Sequence, residues 1–251
     1  MEGDGIRILK TSRHTNKLRP GHLRGNRFSI LIREVAPHAA TITPALIGRI
    51  REQGLPNYYG TQRFGRGAET LTLGLALLRG EKTQRLSPFL RKLALSAVQS
   101  ALFNHYLALR LSDGLLQRVL SGDVMAKVPF GGMFVAEDVV REQARFDARE
   151  IVSAGPIFGR KMFPAAADAA ARERAVLANA GLTPASFSGF GKLLQGTRRH
   201  NLVYVTDLSA AMQAAAARLT FTLPAGSYAT TLLRELMKSD DAAAAESAES
   251  A

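Results

Sequence analysis

From Arg27 to Val35 the chain alternates, with Phe28, Ile30 and Ile32 on one side and Ser29, Leu31 and Arg33 on the other. A period of two predicts a half-buried strand. Next, "TPALIGRIREQG" offers Thr43 as N-cap, Pro44 at the first helical position and Gly54 just past the end. These signals predict a short helix whose buried stripe is Leu46, Ile47 and Ile50. From about residue 70 to 200 the period lengthens. Leu90, Leu93, Ala97, Ala101 and Leu102 fall at helical spacing between Ser87-Pro88 and Asp113-Gly114, predicting a long and largely buried helix. "AEDVVREQARFDAREI", opened by Glu137 and Asp138, predicts another helix; "PAAADAAARERAVLANAG" predicts a third, opened by Pro164 and stopped by Gly181. The Gly/Pro-rich "SAGPIFGRKMF" separates them.

After residue 201 short strands return in "NLVYVTDL" and "ARLTFTLPAG", where Leu219, Phe221 and Leu223 share a face. They enclose an alanine-rich stretch read as a small helix near residues 208 to 217. "SYATTLLRELM" predicts a final helix, with Ser227 as its N-cap. The order is strand-rich, then helical, then strand-rich. It predicts an α/β (α+β) fold, a sheet domain interrupted by a mostly helical insertion.

Charge changes this picture from a generic fold to a basic one. The 251 residues carry a formal net charge of +12, although the last stretch, "SDDAAAAESAESA", is acidic. That tail has no apolar face and is expected to be disordered. Residues 7 to 33 hold Lys and Arg side chains and no acid, on a run broken by Pro20, Gly21 and Gly25. Such a body suits a polyanion, since each cation set against a phosphate releases counterions. Glycine and proline breaks place the charges on loops, which favours an RNA surface over a DNA recognition helix. The chain has no cysteine, and its five histidines form no ligand pair. No metal, no cofactor and no membrane span are therefore expected, with the cytoplasm as the default compartment and a monomer as the default state.

Three segments combine polar and aromatic residues with Gly or Pro in ways no core requires: "KLRPGHLRGNRFSILIR", "PNYYGTQRFG" and "LPAGSYAT". With "SALFNHYLALRL", "GDV" and "GTRR" between them, they resemble the tRNA pseudouridine synthase D (TruD) family over roughly residues 6 to 238. That resemblance implies a partial pseudouridine-synthase sheet domain, mixed or antiparallel, formed by residues 1–53 and 203–238. The family's insertion domain would occupy 54–202, leaving 239–251 as the tail. It implies isomerisation of a uridine in tRNA, uridine 13 in the bacterial enzymes, without cofactor or metal. A base inside folded RNA must first be flipped out, and an aromatic face recovers part of the lost stacking. By the family's motifs Phe28 and Tyr228 line that pocket with Asn26 as polar partner. Lys17, Arg19, Arg24, Arg27, Gln62, Arg63, Arg198 and Arg199 are the candidate RNA contacts, with tRNA the expected partner.

One departure matters. The family's catalytic aspartate lies in a G-x-K-D motif upstream of the "GNRF" segment, and these residues contain no such motif. Asp4, in "EGDGIRIL", does not match it. The family's aspartate is therefore expected upstream of Met1, and no residue of this chain is assigned its role. The expectation is a chain that lacks the amino-terminal part of the enzyme and does not isomerise uridine alone. The alternative is a non-catalytic RNA-binding module derived from the same family. A ribosomal-type basic protein accounts for the charge but not for the aromatic motifs. Other enzyme classes find no support, because phosphate-loop and nucleophile-elbow patterns are absent.

Overall fold

The computed structural model describes residues 11–13, 15–17, 23–129, 131–213 and 215–238. Met1, Asp4, Arg19 and the acidic tail lie outside the described residues, so the expectation of a catalytic aspartate upstream of Met1 meets no structural observation here.

Strand β1 (Gly25–Arg33) pairs antiparallel with β9 (Ala216–Pro224), which pairs in turn with β8 (Ser209–Gln213). The register sets Phe28 opposite Phe221 and Ile30 opposite Leu219, so both strands turn their apolar sets to one face. Helices α1 (Ala39–Gln53) and α6 (Ala229–Met237) cover that face. Ile47, Ile50, Leu219, Phe221, Leu223 and Leu232 form the resulting core.

Helix α1 corrects the sequence reading at its start. It begins at Ala39, His38 occupies the cap position, and Pro44 lies inside the helix. Backbone N–H groups of Thr41 and Ile42 both donate to the His38 carbonyl, so the turn is closed before Thr43 is reached. Inside the helix Pro44 gives up a backbone donor and crowds the carbonyl four residues back, a cost the packing of this helix on the sheet must offset. The stop is as expected: Gly54 takes φ 77° and its N–H reaches the Ile50 carbonyl at 2.9 Å.

Residues between these halves hold a second assembly. Helix α2 (Glu69–Leu78) packs on α3 (Pro88–Ser112), which Ser87 caps by accepting from Leu90 N–H at 3.2 Å. The long helix is buried on two sides. Phe103 and Leu107 belong to one core, and Leu95, Val98, Leu102 and Tyr106 to another. Asp138 caps α4 (Val139–Asp147), while α5 (Ala167–Asn179) starts three residues after Pro164, behind Ala166.

This middle assembly also contains a four-stranded antiparallel sheet, order β4-β3-β5-β6, that periodicity missed. Its strands are β3 (Val124–Lys127), β4 (Met133–Val135), β5 (Ile151–Ile157) and β6 (Thr197–His200). The Gly/Pro-rich stretch read as a connector thus begins within a strand. Every residue of β5 is buried, so no alternation marks it, and a short continuous run is ambiguous in sequence. The small helix expected near 208 to 217 is likewise corrected to strand β8. Alanine favours helices by well under 1 kcal/mol per residue against ordinary residues, a preference that pairing with β9 overrides. Of "NLVYVTDL", only β7 (Leu202–Val203) is strand, and it pairs with β2 (Leu55–Pro56).

Two buried ion pairs tie the middle assembly together. Arg110 donates to both carboxylate oxygens of Asp123 at 2.7 and 2.6 Å, and Arg198 grips both oxygens of Glu173.

Candidate substrate site

The site is built where the chain crosses from the sheet to the middle assembly. Gly54 ends α1, and the β2–β7 pair carries the next residue, Asn57, alongside the end of β6. Buried Asn57 then acts as a hub. Its backbone N–H donates to the Asn201 carbonyl at 2.9 Å and its side-chain amide to the His200 carbonyl at 3.0 Å. Arg199 returns two bonds, Nε to the Asn57 carbonyl at 3.0 Å and a terminal nitrogen to Asn57 Oδ1 at 2.7 Å. The Ser227 hydroxyl donates to the same Oδ1 at 3.2 Å. One amide therefore ties residue 57, strand β6 and the turn before α6 into a single piece.

Tyr59 is fixed two residues later. Asn104 on α3 accepts from Tyr59 N–H at 2.8 Å and donates to its carbonyl at 2.9 Å. The tyrosine ring meets Phe103 edge-on at 5.8 Å and Tyr228 at 5.9 Å and 68°. The Arg199 guanidinium lies over it, 4.1 Å from the ring centre, close enough for a strong cation–π contact. Gly60 follows because a Cβ there would sit 3.0 Å from the Tyr228 ring and from Thr230 Oγ1. Arg63, on the short 3-10 turn Thr61–Arg63, donates to Ser100 Oγ at 3.2 Å and to Ser96 Oγ.

Burial lowers the Arg199 pKa from its ordinary value, against the pull of the two tyrosines. His200 is also lowered, by burial first and by the Arg199 charge second. Among the described residues, no carboxylate takes part in the hydrogen bonds of Asn57, Tyr59, Arg63, Arg199 or Ser227. The cluster is thus a half-buried wall of rings carrying two fixed cations, Arg199 and Arg63. It suits a flat, electron-rich, hydrogen-bonding guest.

The anticipated residues that the structure describes fall in four groups. Tyr228, Arg199 and Arg63 come together at this wall. Asn26 and Phe28 lie on β1, where the exposed Asn26 pairs opposite Leu223 and Phe28 stacks on Phe221 at 5.1 Å and 24°. Beside Asn26, the Ala225 N–H donates to the Arg24 carbonyl at 3.0 Å, which joins this strand end to the turn leading to Ser227 and Tyr228. Lys17, Arg24, Arg27 and Gln62 are exposed. Arg198 is corrected: its guanidinium is buried against Glu173 and the Phe163 carbonyl, and no face is left for a phosphate. Ser227 is corrected too, since Tyr228 occupies the cap position of α6 and the Ser227 hydroxyl serves Asn57 instead. Asn57, Phe103 and Asn104 are not singled out individually by the sequence, while His200 reads there, with Arg198 and Arg199, as either a phosphate contact or part of a solvated turn. Asn57 stood inside one quoted motif and Phe103 and Asn104 inside another, "SALFNHYLALRL", but nothing in the sequence paired the two segments.

Comparison with known proteins decides which family this chain belongs to. The sequence model of tRNA pseudouridine synthase D (TruD) matches residues 1–87 and 81–236. The chain belongs to the tRNA pseudouridine synthase D family.

The tRNA pseudouridine synthase D of Anaeromyxobacter dehalogenans (strain 2CP-1) is 41% identical over 241 residues, covering 94% of this chain and 68% of its own. That of Thermus thermophilus is 43% identical over 234 residues, with 93% and 64% covered. The crystal structure of a Methanosarcina mazei protein named for the same enzyme superposes with TM-score 0.77 at 23% identity, covering 94% of this chain and 75% of that one. At that identity the last comparison speaks for the fold. All three motifs quoted from the sequence lie within the stretch matched to the tRNA pseudouridine synthase D family.

Proposed function

We propose that this chain supplies the uridine-receiving wall of a tRNA pseudouridine synthase, uridine 13 being the target. The observation that carries the reading is the convergence of "PNYYG" and "AGSYAT" on one ring cluster held by Arg199. In the reaction the bond from the ribose C1′ to N1 breaks, the freed uracil turns, and C1′ bonds to C5. The C5 proton leaves and N1 gains one, so the product is an isomer.

An extruded uracil gives up a few kcal/mol of stacking and pairing. Tyr228 would offer the ring face, with Tyr59 bracing it under Arg199, and stacking there would return ~1–3 kcal/mol. Asn26 and Phe28 would bound the opposite side, across the turn at residues 224–226. Arg63, with Arg24, Arg27, Gln62 and Lys17, would hold backbone phosphates. Residues 1–53 and 203–238 would form the synthase sheet domain and 54–202 the insertion, a division supported by a core of the β1–β9–β8 sheet that is separate, Leu55 aside, from the two cores of the middle assembly.

The step at the sugar needs a carboxylate as nucleophile or base. None joins the cluster among the described residues, and on this reading the chain alone binds tRNA without converting it. Mixing the purified chain with an unmodified tRNA transcript and assaying new pseudouridine tests both parts. Binding without product is the expected result. Turnover would contradict the inactivity, and failure to bind would contradict the substrate assignment. The carboxylate-free cluster equally favours a second reading, a non-catalytic tRNA-binding module.

A further inference from the structure

Helix α3 carries a stripe that starts under the candidate site and leaves it. Asn104 clamps Tyr59, and Ser100 and Ser96 receive Arg63. At helical spacing the same face continues to Lys92 and Phe89. The site loop no longer covers it there. Lys92 is exposed, and Phe89 is 75% exposed in the first turn of the helix. From Ser96 to Phe89 is about 10 Å along the axis. That distance matches the axial rise of about three nucleotides in a helical strand.

The surroundings favour an anion. Residues 79 to 92 include Arg79, Lys82, Arg85, Arg91 and Lys92 against one acid, Glu81. Ser87 caps the helix, leaving the positive end of a 25-residue helix beside the ring. Arg91 is on another face and stacks on Phe190 at 5.4 Å, so it does not compete for Phe89. An exposed aromatic among cations, continuous with a nucleotide site, is the arrangement that holds single-stranded nucleic acid.

We propose that the amino-terminal end of α3 is a second RNA contact, where Phe89 stacks on an unpaired base near the target uridine and Lys92 meets the adjoining phosphate. The proposal rests on the tRNA reading above. It adds a contact that acts in RNA capture and leaves the uridine wall untouched.

The test is equilibrium binding of an unmodified tRNA transcript to the full chain and to Phe89→Ala, Phe89→Trp, Lys92→Glu and Tyr228→Ala. Phe89→Ala is expected to weaken binding about tenfold, within the range of one lost base stack. Phe89→Trp should restore it, and Lys92→Glu should weaken binding and flatten its salt dependence by roughly one phosphate contact. Wild-type affinity in both Phe89→Ala and Lys92→Glu, with Tyr228→Ala still impaired, overturns the second contact alone. No tRNA binding by the unaltered chain overturns the substrate reading along with it. A change of oligomeric state in Phe89→Ala at unchanged tRNA affinity would assign the ring to a second copy of this chain and also overturn the proposal.

Discussion

At the scale of single residues, the site depends on groups that are charged or polar yet withdrawn from water. Asn57 Oδ1 accepts from Arg199 and Ser227 together, so loss of that one side chain would release the turn before α6 and the cation over Tyr59. His200 is one group through which pH enters. Its folded pKa lies below the ordinary 6.5 because burial and the Arg199 charge both oppose the imidazolium. The unfolded chain therefore binds that proton first, and folding stability falls as pH drops through about 6.5. The loss ends once His200 is protonated in the folded state as well. Denaturation midpoints measured between about pH 7.5 and 5.5 should fall in the wild-type chain and fall less in His200→Gln. Identical slopes in the two proteins would show that His200 is not held neutral.

Among the elements, α3 does most of the positioning. It carries the clamp for Tyr59 and the anchors for Arg63, and buries opposite sides in two cores. Its place depends on close approach of α2. A Cβ at Gly74 would collide with the Ala94 carbonyl oxygen and crowd Val98. Replacing glycine by alanine inside a helix ordinarily gains about 0.5–1 kcal/mol, whereas overpacking against backbone costs about 1–3 kcal/mol. The second effect should win. Gly74→Ala is expected to lower the denaturation midpoint, and an unchanged or raised midpoint would mean that α2 shifts freely.

The same elements explain what was legible in the sequence. β1 and β9 each bury one face and therefore alternate, and α3 is bounded by Ser87-Pro88 and Gly114. β5 is buried throughout, and β8 is an alanine-rich strand that only its neighbour defines. Neither carries a local signature. In the site, Tyr228 and Arg63 were marked by their motifs, but the burial of Arg198 depends on Glu173, which no spacing rule links to it. Asn104 was hidden for the same reason, being fixed by a loop 45 residues away.

Over the whole molecule, the sheet and the helical assembly are joined by more than the two chain crossings. Arg149 donates to the carbonyls of Arg51 and Glu52 at 3.0 and 2.9 Å, and Gln117 to that of Gln53, so side chains of the middle assembly occupy the last carbonyls of α1. Arg149 also covers the Tyr204 ring at 4.5 Å. The candidate wall lies at this junction, with residues from both assemblies, and holds its shape only while they stay together. Basic side chains then extend the surface along the helix, and the net charge of +12 acts on any polyanion before close contact. Among the described residues no helix is long and apolar enough to cross a membrane.

The central claim is that a uridine of tRNA enters the wall formed by Tyr59 and Tyr228. It is tested most directly with a tRNA transcript carrying 4-thiouridine at position 13, irradiated in complex with the chain and mapped to the crosslinked peptide. The account predicts crosslinks to residues 57–63 or 225–230, lost when Tyr228 and Tyr59 are both replaced by alanine. Crosslinks confined to other segments, or unchanged in that double variant, would contradict it.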